Sequence, residues 1–287
     1  MTATGIPASA PGYHPRRTLP LRVEAVRQLR RRRTMVAALI LLALPWILVG
    51  AFELGGPAQP GSGPPGLVDL ATDGGLNFAA FSFFASAGFL LVVAVALFCG
   101  DTIASEASWS SLRYLLAAPV PRTRLLRQKM IVALGYAAVA VVTFPAMSLL
   151  AGTVAFGWHP LRLPATQIQL PYGTALARTG IALVYVMITL LVVAGLAFLL
   201  SVSTDSPLGA VGGAVGLVIV SNILDAVTAL GSWREILPSH WQFAWLDAFS
   251  AQLSWGGMVE GTAVSVSYAL ILFALAFRHF RRKDIVS

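Results

Sequence analysis

The chain has 287 residues, of which 57% are hydrophobic and only 11% are charged. A soluble globular domain carries about 25% charged residues, so this composition excludes an ordinary soluble domain. It predicts an integral membrane protein, whose apolar surface the bilayer solvates. The net charge of +8 comes from basic residues beside apolar stretches, a pattern typical of membrane topology rather than of nucleic-acid binding.

Two segments precede the first long apolar stretch. Residues 1–18 are rich in Pro, Ala and Arg, and we expect a disordered cytoplasmic tail there. Residues 19–33 combine arginines with one apolar helical stripe, which predicts an amphipathic helix lying in the membrane surface. The stripe consists of Leu19, Val23, Val26 and Leu29. The alternative is a plain basic flank that only sets the orientation of the chain.

Six apolar stretches follow, and each is near or above the ~20 residues needed to cross the hydrocarbon core. The predicted spans are 34–54, 77–99, 131–156, 176–202, 207–230 and 257–278. We expect the first span to be retained, because no small-residue cleavage site follows it. The predicted fold is an all-α integral membrane protein with a six-helix transmembrane domain over residues 34–280 and a cytoplasmic C-terminus at 281–287.

The basic residues predict the orientation of these spans. Seventeen of the twenty lysines and arginines fall before the first span, between the second and third spans, or at the C-terminus. The other three are Arg162, Arg178 and Arg234. By the positive-inside rule the seventeen face the cytoplasm. Six spans then place both termini in the cytoplasm, and we expect a multi-pass protein of the bacterial inner membrane.

Four tryptophans lie in the last predicted outer loop, residues 231–256. They are Trp233, Trp241, Trp245 and Trp255. Indole packs against apolar groups and still donates a hydrogen bond, so this loop favours short helices at the membrane interface. A re-entrant pair of short helices and a simple surface loop are both open alternatives.

The sequence contains no recognisable catalytic or metal site. A P-loop needs a lysine after glycine and before serine or threonine, whereas Lys129 follows Gln128 and Lys283 follows Arg282. The four histidines show no metal-ligand spacing, and the single cysteine, Cys99, excludes a cysteine cluster. We therefore expect no catalytic residue, metal or cofactor in this chain, and no nucleic-acid partner.

The fifth predicted span carries two features of interest. Gly209, Gly212, Gly213 and Gly216 have the small-xxx-small spacing that lets membrane helices approach closely, within one chain or between two. Asp225 lies near the outer end of the same span. A charged residue inside a membrane is costly and is often functional. Asp225 is therefore a candidate outer gate or substrate contact, and a satisfied helix cap is the alternative.

The loop at residues 100–129, between the second and third spans, has the most specific pattern. Leu112, Leu115 and Leu116 share one helical face, and Pro119 and Pro121 then end the helix. This predicts a short helix that is presented to the cytoplasm between two spans. Such a helix is suited to dock a soluble partner.

This loop resembles the first cytoplasmic loop of type-2 ATP-binding-cassette (ABC) transporter permeases. That family commonly shows a glutamate, a small-Thr/Ser-Leu-Arg run, a Leu-Leu pair, a Pro-Val-x-Arg turn and a later lysine. The matching residues are Glu106, Ser111, Leu112, Arg113, Leu115, Leu116, Pro119, Val120, Arg122 and Lys129. Ser110 stands where the family usually has glycine, which puts the turn before the helix in doubt.

The resemblance implies a partnership with other subunits. Two permeases, identical or paralogous, would pair in the lipid membrane, and two soluble ATPase subunits would bind ATP and Mg²⁺ and dock on their cytoplasmic face. The loop would then be the coupling helix that sits in a groove of the ATPase. The implied docking residues are Glu106, Ser111, Leu112, Arg113, Leu116, Pro119 and Arg122.

The function implied by the resemblance is the permease subunit of an ABC exporter. The apolar spans favour a hydrophobic or amphipathic substrate over a simple ion. One alternative is a secondary transporter, which would predict internal repeats and several polar sites within the membrane. The other alternative is a membrane scaffold or assembly factor that moves no solute.

Overall fold

A computed structural model describes residues 21–55, 66–108, 122–164, 166 and 168–282. The predicted tail at residues 1–18 lies outside the described residues. So do most of the predicted docking residues, namely Ser111, Leu112, Arg113, Leu116 and Pro119. Of Arg122, only the position at the start of a helix is described.

The described residues form eight α-helices. They are α1 (Leu21–Leu29), α2 (Arg32–Gly55), α3 (Gly75–Ala87), α4 (Leu90–Ser108), α5 (Arg122–Phe156), α6 (Tyr172–Ser203), α7 (Pro207–Ala226) and α8 (Gly256–Arg282). Short 3₁₀ helices occupy Ala71–Asp73, Thr228–Ile236 and Ala244–Phe249. Between α5 and α6, strands β1 (Leu161–Arg162) and β2 (Gln169–Leu170) form an antiparallel hairpin in which Leu161 lies opposite Leu170.

Five of these helices, α2, α5, α6, α7 and α8, are long and apolar enough to cross a membrane. Helices α3 and α4 satisfy the same criterion only together, and they meet at a bend of 56°. The number of candidate spans reaches six if this bent pair counts as one span. The chain is therefore an all-α, multi-pass membrane protein, as its composition predicts.

The second predicted span, 77–99, is not one uninterrupted helix but covers most of the bent pair α3 and α4; that this pair crosses the membrane as one span stays a prediction. Helix α3 ends at Ala87 and α4 begins at Leu90. The two residues of the break are Gly88, a weak helix former, and Phe89, whose side chain is 61% exposed. The N–H of Phe89 instead donates to the carbonyl of Ser86, which turns the chain between the two helices.

Helix α6 lies at the centre of the bundle and packs against α4, α7 and α8. The core around it contains Leu91, Phe144 and Phe198, which are almost fully buried. The α6–α8 contact depends on small residues. A Cβ atom on Gly195 of α6 would lie 3.1 Å from Leu272 of α8.

The glycines of α7 are used only in part. A Cβ atom on Gly213 would lie 3.1 Å from the Leu200 side chain of α6, and Gly209 lies beside Ser206, the N-cap of its own helix. A Cβ atom on Gly212 or Gly216 would meet no other part of the described chain within 4 Å. Of the predicted close approaches, the structure of one chain therefore contains the contact at Gly213.

A closer glycine contact occurs between α3 and α5, where the sequence pattern did not predict it. A Cβ atom on Gly152 would lie 2.7 Å from the Cβ of Phe78. On the facing helix, a Cβ atom on Gly75 would lie 2.8 Å from the backbone nitrogen of Thr153. The two helices therefore approach as closely as they do because both positions lack a side chain.

The two ends of the bundle differ in charge. The basic end contains α1, the beginnings of α2 and α5, and the end of α4. At the opposite end lie the hairpin and the tryptophan-rich segment, which we define as residues 228–250. Arg162 pairs there with Asp73 at 3.0 Å, and Arg178 donates to the carbonyl oxygens of Ala248 and Ser250. This end of the bundle is thus held together by its few arginines.

Candidate functional site

A group of charged side chains with a buried centre and a more exposed arginine rim occupies the basic end and is the candidate functional site. We call it the ion cluster. Its members are Glu24, Arg27, Arg31, Arg33, Asp101, Glu106 and Lys129. These residues come from α1, α2, α4, α5 and the turn between α1 and α2. Four cationic groups thus face three carboxylates at the point where the helices converge.

Lys129 of α5 is the centre of the ion cluster. Its side chain is 1% exposed, and its Nζ atom lies 2.8 Å from Oε1 of Glu24 and 2.6 Å from Oε1 of Glu106. Both carboxylates are themselves buried. Leaving a buried charge without a partner costs several kcal/mol of stability, so each of these three groups needs the others to remain charged in the interior. Together they join α1, α4 and α5.

The arginines extend the ion cluster from α1 toward α2. The guanidinium group of Arg27 donates to Glu106. Arg31 donates to the carboxylate of Asp101 at 2.8 Å and to the Ser105 hydroxyl at 2.9 Å, and Arg33 contacts the other carboxylate oxygen of Asp101 at 2.6 Å. Asp101 therefore binds two guanidinium groups, and the last two turns of α4 are tied to the start of α2.

Helix α1 packs with its polar face toward the protein. Glu24 and Gln28 are its buried residues, and the Gln28 amide donates to the carbonyl of Phe98 at 3.3 Å. The Tyr136 hydroxyl of α5 donates to the carbonyl of Ala25 at 2.8 Å. The apolar side chains point outward and are 42–57% exposed; they are Leu21, Val23, Val26 and Leu29. An exposed apolar stripe opposite a polar face that packs on the protein is typical of an amphipathic helix at a membrane surface.

The end of α4 is also anchored to α6. The Ser201 hydroxyl, which is fully buried, accepts hydrogen bonds from the backbone N–H groups of Ile103 and Ala104, both at 3.0 Å. These residues lie between Asp101 and Glu106 in α4. The carboxylates of the ion cluster are therefore carried by a helix end that a second spanning helix holds in place.

An open cavity of about 720 Å³ lies beside the ion cluster. Its described lining residues are Arg27, Arg31, Arg32, Arg33, Asp101, Ser105, Glu106, Ser108 and Pro207. Four arginines and two carboxylates make this surface positive, so it would attract an anion or the anionic headgroups of a membrane surface. Chemically, the guanidinium groups of the lining suit the binding of an anion.

Glu106 is a predicted docking residue that the structure places inside the ion cluster. Its side chain is 2% exposed and binds Lys129 and Arg27. In this structure the carboxylate holds α4 to α5, and the docking role of Glu106 stays a prediction. The docking roles of Ser111, Leu112, Arg113, Leu116, Pro119 and Arg122 stay predictions.

Sequence reasoning missed Glu24 and the central position of Lys129. The available signal was charge. Glu24 is the first acidic residue of the chain and stands among arginines, and Lys129 is one of only two lysines. An acid that does not serve the positive-inside rule could have been paired with a lone lysine near a predicted helix end. Spacing alone gives no sign that the two meet across 105 residues.

Asp225 lies at the opposite end of the bundle, and the structure pairs it within the chain. Its Oδ1 atom lies 2.6 Å from Nδ1 of His240 and 3.9 Å from Nε of Arg234. One turn earlier on α7, the hydroxyls of Ser221 and Ser239 are 2.6 Å apart. Asp225 thus links α7 to the tryptophan-rich segment and is not an isolated acid; a role as outer gate or substrate contact stays a prediction.

The tryptophan-rich segment contains 3₁₀ helices and turns. Its tryptophans differ in environment. Trp245 is fully buried, with its ring centroid 5.2 Å from that of Phe83, whereas Trp233 is 72% exposed, and Trp255, just after the segment, is 52% exposed. The first belongs to the core and the other two have the exposure expected of interfacial side chains.

Over the part of the chain that the structure describes, no group of three or more His, Cys, Asp or Glu residues could hold a metal ion.

No curated protein matches the chain. A family model described as "Protein of unknown function (DUF2705)" matches residues 67–286. This range contains α3 to α8, and with them Asp101, Glu106 and Lys129, whereas α1 and α2 precede it. Since the match covers most of the chain, this protein belongs to the DUF2705 family.

Proposed function

We propose that this chain is the membrane subunit of an ATP-driven exporter of the ABC type. In this proposal the chain crosses the bacterial inner membrane six times, with α3 and α4 forming one bent span and both termini in the cytoplasm. ATP and Mg²⁺ are bound by two separate ATPase subunits. The observation that carries the proposal is the ion cluster, which clamps together the two helix ends that flank residues 109–121.

Because the ion cluster joins the two helices that flank the proposed docking loop, the loop would transmit a force to both helices. Glu106 is near the end of α4 and Lys129 is near the start of α5, so their ion pair closes the base of the loop. A force applied to the loop by a soluble ATPase would move both helices together. Since α4 also packs against α6 and α7, that movement would reach the centre of the bundle.

The position of α1 supports the same orientation. Its apolar side chains are exposed and its polar face holds the ion cluster. An amphipathic helix of this kind lies at the membrane surface, which would place the ion cluster at the cytoplasmic boundary of the bilayer. The excess of basic residues at this end of the bundle agrees with the positive-inside rule.

A second permease subunit, identical or paralogous, is part of the proposal. A Cβ atom on Gly212 or Gly216 of α7 would meet no other part of the described chain within 4 Å, although the spacing of these glycines suits close helix packing. A pairing of subunits through α7 would use these glycines. The exported substrate would be hydrophobic or amphipathic, since the described spans offer few charged groups to a polar solute.

Site-specific photocrosslinking in cells tests the proposal. A photoreactive amino acid at Leu112, in the loop, should crosslink to a soluble ATPase, and the same amino acid at Val184, which is 57% exposed on α6, should not. Adding Arg113→Ala should weaken the Leu112 crosslink. If the photoreactive amino acid at Leu112 crosslinks to no ATPase, the result would favour a secondary transporter or a scaffold. ATP-dependent export by the purified complex separates an exporter from an ATPase-bound scaffold.

A further inference from the structure

An apolar cavity of about 290 Å³ lies between α6, α7 and α8, beneath the tryptophan-rich segment. Its wall on α6 includes residues from Val186 to Leu196, a length of roughly 15 Å at ~1.5 Å per residue. The rest of the apolar wall includes Val218 of α7 and Leu272 of α8, together with Ala87 and Val92 from the bent pair α3 and α4. The described lining residues include no charged side chain. The cavity is therefore narrow, elongated and apolar.

The polar groups of the cavity are concentrated near the tryptophan-rich segment. Ser239 and Gln242 belong to that segment, and Ser221 lies on the last turns of α7 just below it. Two further polar side chains, Thr189 and Tyr268, lie on the helical walls, and the Thr189 hydroxyl donates to the carbonyl of Val186 in its own helix. The end nearest Leu196 and Leu272 is apolar. The site therefore has one polar end and one apolar end.

The polar end is closed by residues 237–242, which we call the strap. Three consecutive strap residues are bound to the helices on either side. Ser239 contacts Ser221 of α7 at 2.6 Å, and His240 contacts Asp225 of α7 at 2.6 Å. The Trp241 carbonyl accepts a hydrogen bond from the Tyr185 hydroxyl of α6 at 2.6 Å. The strap thus joins α6 to α7 across the mouth of the cavity.

We propose that this cavity binds one linear aliphatic chain, with the polar head of the bound molecule beneath the strap. A volume near 300 Å³ is at the lower limit for small-molecule sites and suits a single chain rather than a fused ring system. Because the described lining residues include no charged side chain, a charged ligand would lack an ion-pair partner there, which favours a neutral head. The hydroxyls of Ser221 and Ser239 and the amide of Gln242 offer hydrogen bonds to an alcohol, ester or amide head.

This inference goes beyond the proposed function, since it concerns a ligand of this chain alone. The test needs no ATPase, so an empty cavity would leave the proposed docking of an ATPase unaffected. Failure of the chain to bind an ATPase would likewise leave the proposed cavity ligand unaffected. The bound chain could come from a free amphiphile or from a lipid of the surrounding bilayer. The chemistry that the cavity recognises is the same in both cases, and two probes separate the sources.

The experiment uses the full chain in lipid nanodiscs with two photoreactive probes, a diazirine-bearing dodecanol and a phosphatidylcholine with the diazirine in one acyl chain. Mass spectrometry locates the labelled residues, and an excess of plain dodecanol tests whether labelling saturates. Saturable labelling of residues around the cavity is expected. Labelling by dodecanol alone identifies a free amphiphile, and labelling by both probes identifies bilayer chains as well; either result supports the site.

Val218→Trp is the decisive variant and Val220→Trp is its matched control. Both residues lie on α7, but Val218 lines the cavity, whereas Val220 is 50% exposed and does not line it. Filling the cavity should reduce saturable labelling by roughly tenfold or more, which corresponds to about 1.4 kcal/mol or more of binding free energy. Equal labelling in the two variants, or no saturable labelling of the wild type, would overturn the proposal.

A second variant covers the case in which Val218→Trp does not fold. The combined change Ser221→Cys and Ser239→Cys places two thiols where hydroxyls are now 2.6 Å apart, so a disulfide can close the strap. Oxidation should slow labelling of the cavity, and reduction should restore it. Labelling at the same rate before and after oxidation would show that the ligand does not enter beneath the strap, and would contradict the site as proposed.

Discussion

The ammonium group of Lys129 lies 2.6 Å from the Glu106 carboxylate, and the two residues stand on opposite sides of the loop at 109–121. This contact ties the end of α4 to the start of α5. Glu24 adds α1 to the same buried pair through its own contact with Lys129 at 2.8 Å. The helices that flank the proposed docking loop are therefore joined by buried ion pairs, and removing these pairs should change the stability of the protein.

Lys129→Met should destabilise the protein strongly. The change leaves the carboxylates of Glu24 and Glu106 buried without their shared cation, and breaking a buried ion pair from one side costs about 3–5 kcal/mol. Thermal unfolding of the purified protein in detergent measures the loss. Arg127→Met is the matched control, because Arg127 is an exposed basic residue of the same helix, and it should change stability little. Similar melting of both variants would contradict the central position of Lys129.

Gly152→Ala should also lower stability, through packing rather than charge. The new methyl group would lie 2.7 Å from the Cβ of Phe78, so α3 and α5 would have to move apart, at a cost of about 1–3 kcal/mol. Gly135→Ala in the same helix meets nothing within 4 Å and should stabilise by about 0.5–1 kcal/mol. Opposite shifts in melting temperature are expected, and a shift of the same sign would show that α3 and α5 do not meet at Gly152.

Tyr185→Phe should loosen the strap. The change removes the hydrogen bond to the Trp241 carbonyl, worth about 0.5–1.5 kcal/mol. Amide hydrogen exchange at residues 237–242 should become roughly 2- to 10-fold faster, provided that these amides exchange through local opening. Tyr172→Phe is the control. Tyr172 lies at the start of the same helix, and its hydroxyl donates to the Trp158 carbonyl at an exposed site away from the strap. Unchanged exchange in Tyr185→Phe would mean that this bond does not hold the strap.

The exposed face of α1 should contact lipid. A bimane fluorophore attached at Val26→Cys should be quenched by brominated lipids, because the Val26 side chain lies on the outward apolar stripe. The same fluorophore at Arg30→Cys should be quenched much less, since Arg30 belongs to the basic turn that follows α1. The natural cysteine, Cys99, is buried and should react little. Equal quenching at both positions would place α1 away from the membrane surface or deep within it.

Hydropathy located most of the long helices well. The first, fourth and sixth predicted spans correspond to α2, α6 and α8, since a long apolar run leaves a helix as the only stable state in lipid. The third span continues back to Arg122 as α5, and the fifth ends at Ala226 where 3₁₀ turns begin. The basic residues at the start of α5 carry no apolar signal, and residues 227–230 remain mostly apolar beyond the end of α7, so composition could not place either boundary.

The bend between α3 and α4 was beyond the reach of composition. Both halves are apolar, so the hydropathy of residues 77–99 is continuous across Gly88 and Phe89. Only tertiary packing separates them, with α3 held against α5 and α4 against α6. The contact of Trp245 with Phe83 is of the same kind. An indole suits both a core and an interface, and the chain fold decides between the two.

The sequence pointed to Glu106 but not to the ion cluster around it. The loop pattern pointed to Glu106 as a surface contact, whereas the structure buries this side chain against Lys129. Pairing of charges that lie far apart in the chain depends on helix packing, which neither spacing nor hydropathy reports. A consequence for experiments is that Glu106→Ala would disturb folding. Arg113→Ala is therefore the cleaner test of docking by the loop.

Native mass spectrometry of the complex purified from its own membranes tests the central claim most directly. The chain would be extracted in a mild detergent through an affinity tag, and the mass of the intact assembly measured. The account predicts an assembly of two membrane subunits with two ATPase subunits, and loss of the ATPases when Arg113→Ala is introduced. Intact dimers or monomers of this chain that never carry an ATPase would contradict it.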